Sequence, residues 1–193
     1  PNGDAITKPK LSFIDKVFDL EVLRLLLAQK EYIMSIKNDK VSDLFLLAWL
    51  SILEELSYYR KAGNGLKRKK RIEKTGLIRK EEHARNLLNS KLNIILKDLN
   101  SLLGKVSEEF EPKIYNVSAL NMTKYVPEGS LKGVIFSPPY ANCFDYTEIY
   151  KIELWMGSFV KEYSELKEIR KTAIRSHLNV AANRANNKGT LKI

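Results

Sequence analysis

Residues 132–140, Lys-Gly-Val-Ile-Phe-Ser-Pro-Pro-Tyr, constrain the fold more than any other stretch of this chain. Val134, Ile135 and Phe136 are β-branched or aromatic. Three apolar residues in succession predict a strand buried on both faces, not one that alternates with solvent. Two prolines follow Ser137; each fixes φ and lacks an N–H, so the chain leaves the strand through a stiff turn. A second β-type run, residues 113–117 (KIYNV), lies upstream, and Pro127, Gly129 and Ser130 supply the connection. Ligands of open α/β sheets sit beyond the carboxyl ends of strands, which is where residues 137–140 fall.

The chain before Pro112 has a different texture. Residues 1–11 read as an irregular lead-in. Phe18, Val22, Leu25, Tyr32 and Ile36 recur at helical steps and predict a first helix over 15–37. Asn38 and Asp39 break it. Ser42 or Asp43 can cap a second helix, apolar nearly all round from Leu44 to Leu56 and fading near Tyr58 and Tyr59. A third resumes near Arg79, carries Leu88, Leu92, Ile95, Leu99 and Leu102 as a seam, and stops at Gly104. Beyond the prolines, Ile149, Ile152, Met156 and Phe159 stripe a further helix. The fold expected is α/β: a partial Rossmann-like sheet with a large, mostly helical N-terminal segment. The division is a helical segment 1–111, with a basic loop at 60–80, and a partial catalytic segment 112–193.

Charge is concentrated. Residues 60–80 hold ten Lys or Arg against Glu73 alone, a balance of +9 in a chain whose net charge is +10. Such a window attracts polyanions, and Lys67, Arg68, Lys69, Lys70 and Arg71 are the candidate phosphate contacts. A solvated basic linker is the plainer reading. No apolar face accompanies the charges, which argues against an anionic membrane. The longest apolar run, Leu44–Leu50, is too short to span a bilayer. The single cysteine, Cys143, excludes an intramolecular disulfide and multi-thiolate zinc, and it suggests a reducing compartment. His83 and His177 have no neighbours at ligand spacing, so no metal is expected.

The Ser137–Tyr140 turn has a definite chemical character. It offers carbonyl oxygens and the Ser137 hydroxyl with few competing donors, a ledge suited to an amino group. Tyr140 adds a flat face for stacking. A nucleobase amine inside a duplex reaches such a ledge only when the base leaves the stack.

Ser-Pro-Pro-Tyr after an apolar strand resembles the catalytic motif of S-adenosylmethionine-dependent DNA amino-methyltransferases, which methylate N4 of cytosine or N6 of adenine. The resemblance extends along 137–160 (SPPYANCFDYTEIYKIELWMGSFV) and to Arg175-Ser176-His177. It implies a bacterial, cytoplasmic restriction-modification enzyme that flips a base. Ser137 and the Pro138 carbonyl would accept hydrogen bonds from the target amine, Pro139 would stiffen the ledge, and Tyr140 would stack on the base. Ser at the first position favours cytosine over adenine. Ser118 and Ala119 sit where the family contacts the cofactor adenine. The family's Gly-rich cofactor loop is not found: Gly63-Asn64-Gly65 is the only GxG and follows a helix. The expectation is that Pro1 falls just after that loop, leaving the sheet incomplete.

The remaining candidates have structural readings beside the functional ones. Asp145 can orient the ledge or cap a helix, and Glu153 can face the site or form an ion pair. Trp49 and Trp155 read as core, and Cys143 as an inert thiol. Two other functions stay open: a non-catalytic nucleic-acid-binding relic, and an RNA or protein-amide methyltransferase.

Overall fold

The computed structural model describes residues 12–63, 65–70, 81–105, 112–137 and 145–172. After a 3-10 turn at Ile14–Lys16, α1 spans Leu20–Met34 and α2 Asp39–Leu56. Strands β1 (Tyr59–Ala62) and β2 (Gly65–Arg68) form an antiparallel hairpin. Helix α3 (Glu81–Leu102) follows, then a 3-10 segment at Ala119–Lys124. Short helices α4 (Tyr146–Ile149), α5 (Lys151–Met156) and α6 (Tyr163–Thr172) complete the described chain.

Local chemistry sets the helix ends. Asp19 caps α1 by accepting from the Glu21 amide at 3.1 Å. Asn38 caps α2 by accepting from Val41 at 3.1 Å, so this helix begins a turn before the Ser42 or Asp43 expected from its apolar content. Gly104 stops α3 as expected; its φ of +73° is a left-handed value that glycine adopts without strain.

One core joins the two ends of the described chain. Val22, Leu23, Leu25, Leu26 and Ile33 of α1 meet Trp49, Ile52, Leu53 and Leu56 of α2, Ala84 of α3, and Ile152, Trp155, Met156, Val160 and Leu166 from beyond the motif. Both tryptophans are core, as read from sequence. Tyr32 and Phe159 were expected on buried stripes but are exposed. Helix α1 buries Val22, Leu23, Leu25, Leu26 and Ile33, a face that leaves Tyr32 at its solvent edge. Ser158, with φ of +58°, breaks the chain before Phe159 can continue the α5 stripe. The α3 seam is buried only at its N-terminal end: Leu87 and Leu88 pack on the core, whereas Leu99 and Leu102 face solvent.

The strand expectations need correction. Residues 113–117 and 132–136 form no strand, and Ile114, Val134, Ile135 and Phe136 are all exposed, Ile135 fully so. An extended run holds strand geometry when neighbouring backbone satisfies its N–H and C=O groups. The only ladder among the described residues is β1–β2, which pairs with itself. The architecture is therefore mostly helical with a small antiparallel sheet; a Rossmann-like sheet is not formed by these residues. The basic loop is likewise corrected in part. Residues 59–68 make a hairpin whose turn begins at Gly63, with φ of +55°.

Candidate nucleic-acid and catalytic site

Ser137 is exposed at the end of the 132–137 run. Pro138, Pro139, Tyr140 and Cys143 lie outside the described residues, as do Arg71 and Arg175–His177. Asp145 is buried against the core.

Asp145 takes the capping role. Its Oδ1 accepts from the Thr147 amide at 2.9 Å, the Thr147 hydroxyl at 2.6 Å and the Glu148 amide at 3.3 Å. Its Oδ2 lies 3.2 Å from Arg170 Nε. Burial pushes this carboxyl up, but the Thr147 hydrogen bonds and the Arg170 charge outweigh it and hold the group below its usual range. Arg170 also donates to the Thr147 hydroxyl at 2.8 Å and pairs with Glu148, which in turn meets Lys151 at 3.2 Å. One guanidinium from α6 thus fastens the first turn after the Ser-Pro-Pro-Tyr motif. No local pattern marks Arg170 in the sequence, because its partners are 22 or more residues away.

Glu153 forms an ion pair, with Lys61 Nζ of β1 at 2.5 Å, and Lys61 also lies 4.2 Å from the Tyr150 ring centre. Tyr150 stacks with Tyr146 at 6.5 Å and 9°. The hairpin therefore leans on α4 and α5. Gly65 lies at this contact: a Cβ there would meet the Glu148 Cβ at an ordinary contact distance of 4.0 Å.

The basic window divides into anchors and exposed cations. The Lys69 ammonium donates to the carbonyls of Glu54 at 2.7 Å, Ser57 at 2.9 Å and Glu55 at 3.0 Å. It satisfies carbonyls at the end of α2, where the helix dipole favours a cation. Burial lowers its pKa, partly offset by Glu54 and Glu55. Its three N–H groups are all engaged. Lys67, Arg68 and Lys70 are exposed on the hairpin and just beyond it.

Ser118 is exposed and precedes the 3-10 segment that begins at Ala119; its carbonyl accepts from Asn121 at 2.9 Å. The flanking residues 112–117 and 121–125 are exposed too, so among the described residues no wall of side chains encloses this position. The described residues do not by themselves fit an adenosine-bearing cofactor. Among them no cluster of three or more His, Cys, Asp or Glu could hold a metal ion, and no helix is long and apolar enough to cross a membrane.

Over about two thirds of its length this chain is similar to Type II methyltransferases, which bears out the resemblance read from its motif. It is 34% identical to the Type II methyltransferase M.BsoBI of Geobacillus stearothermophilus over 67% of the chain and 29% of that protein. It is 27% identical to the Type II methyltransferases M.AvaI of Nostoc sp. and of Anabaena variabilis, over 65% of the chain and 28% of each. The chain thus spans less than a third of the length of these curated relatives. No family model matches it, and no solved structure does.

Proposed function

We propose that the chain is part of a site-specific DNA methyltransferase acting on an exocyclic amino group, N4 of cytosine ahead of N6 of adenine. The observation that carries this reading is the Ser137–Tyr140 motif in a chain similar to Type II methyltransferases. The Ser137 hydroxyl and the Pro138 carbonyl accept hydrogen bonds from the amine, which orients its lone pair. Pro139 keeps the turn stiff, and Tyr140 stacks on the extruded base, an interaction worth about 1–3 kcal/mol. Catalysis here is mainly positioning, so small displacements of the ledge cost rate. The proposed methyl donor is S-adenosylmethionine. Ser118 and Ala119 are its proposed neighbours in this chain, with the rest of a Rossmann-like sheet supplied by other parts of the protein. The proposed phosphate contacts come from the 60–80 window.

The test is methyl transfer by the intact protein to duplex DNA, read by mass spectrometry of the nucleosides. N4-methylcytosine is expected. N6-methyladenine would reassign the target base, and methylation of RNA or protein alone would remove DNA as the substrate. Tyr140→Ala should lower kcat/KM by about 5- to 150-fold, the equivalent of the lost stacking. Unchanged kinetics in Tyr140→Ala and Ser137→Ala together would remove the ledge from the mechanism.

A further inference from the structure

The β1–β2 hairpin sets two of its cations directly opposite each other. In an antiparallel pair, directly opposed residues point to the same side. Arg60 opposes Lys67, whereas Tyr59 opposes Arg68 and Lys61 opposes Leu66. The inner face is occupied: the Tyr59 ring packs on Phe13 with centroids 5.1 Å apart, Leu66 joins the core, and Lys61 reaches Glu153. The other face carries Arg60 and Lys67 side by side, both exposed, with Gly65 of the same face beside Glu148 of α4. Among the described residues no carboxylate is paired with either.

Opposed like charges weaken a strand pair, so this arrangement works against the hairpin unless an anion sits between them. A hollow of about 400 Å³ is lined by Ala62, Gly63, Gly65, Leu66 and Lys67, three of which have at most a methyl side chain. The base of the hairpin is anchored. The Tyr58 amide donates to Val17 O at 2.7 Å, the Lys69 amide donates to Tyr58 O at 2.9 Å, and the Lys69 side chain is fixed on the end of α2.

We propose that Arg60 and Lys67 form a clamp for one phosphate of a DNA backbone, beside the hollow that Gly63, Gly65 and Lys67 line. This rests on the DNA reading above and deepens it. Within the basic window, the clamp separates the cations that hold nucleic acid from Lys61 and Lys69, which hold the fold. Arg60 offers a planar fork that fits phosphate oxygens, and Lys67 adds a point charge beside it. The hairpin packs on α4, which starts six residues after Tyr140, so a gripped phosphate is tied through packed backbone to the element that follows the proposed ledge.

The test is equilibrium binding of the intact protein to a short DNA duplex across a salt series. Arg60→Gln/Lys67→Gln should reduce the slope of log K against log salt by about one unit and weaken binding on every sequence alike. Arg60→Lys, which keeps the charge, should keep the slope. Lys97→Gln on α3 should leave it unchanged. The thermal midpoint of the double variant should be equal to wild type or higher, since a repulsive pair is removed; this separates lost binding from unfolding. An unaltered slope in the folded double variant overturns the clamp while leaving the DNA reading intact. An equal loss in Lys97→Gln overturns it in favour of diffuse charge. Absence of duplex binding by the wild type sinks the DNA reading and the clamp with it.

Discussion

Asp145 shows how much one buried side chain can hold. It caps α4 and receives Arg170 from α6, so Asp145→Ala removes a cap and one of the two carboxylates that hold this guanidinium. The expected loss is about 2–3 kcal/mol in urea denaturation. The pH dependence follows from its lowered pKa. The folded carboxyl binds a proton less tightly than the unfolded one, whose value is about 3.9. Its contribution is complete above that value and is lost as pH falls through it toward the folded value. Denaturation midpoints between pH 6 and 2 should therefore fall more steeply for wild type than for Asp145→Asn. Parallel curves would show that Asp145 does not titrate differently in the two states. The sequence allowed Asp145 either role; the choice came from Thr147 and Glu148 amides within reach and from an arginine on another helix.

At the scale of elements, helix ends and turns decide the packing. Lys69 serves the last carbonyls of α2 from twelve to fifteen residues away. Lys69→Met should lower stability by about 2–3 kcal/mol, measured by thermal unfolding, because the charged hydrogen bonds to half-buried carbonyls are lost. The α5 end is equally specific. Lys30 of α1 donates to Met156 O and to Ser158 Oγ, both at 2.6 Å, and burial lowers its pKa. A Cβ at Gly157 would stand 2.8 Å from Glu153 O and collide with the Phe159 ring. Phe159 is exposed and can swing away, but the carbonyl belongs to the helix. Gly157→Ala should cost about 1–3 kcal/mol by the same measurement. Elements themselves were well marked in the sequence where one signal dominates, as with Gly104 at the end of α3. They differ from the periodicity at Tyr32 and Phe159, which are exposed; at Phe159 the left-handed Ser158 ends the stripe.

For the whole molecule, the core unites residues on both sides of the motif while 112–137 stays outside it. That contrast is measurable. Ile152→Ala, in the core, should cost about 2–4 kcal/mol. Ile135→Lys should change stability of the 193-residue chain by less than about 0.5 kcal/mol, because Ile135 is fully exposed. A large loss at Ile135 would mean that the run is buried after all. The expectation of a buried strand came from hydrophobicity, which reports what a segment can bury and not what is present to cover it.

The sequence by itself determined the three long helices, the stop at Gly104 and the core tryptophans, and it offered a Ser-Pro-Pro-Tyr motif whose chemistry points to an amino group. Those readings depend on neighbours within a few residues, where periodicity and backbone sterics act. Only the tertiary structure decided that Lys61 and Lys69 brace the fold while Arg60 and Lys67 face outward together, and that Arg170 secures Asp145. Such roles are set by strand register and by helix ends distant in sequence. A run of identical charges carries no record of which of its members will find a carbonyl, a carboxylate or solvent.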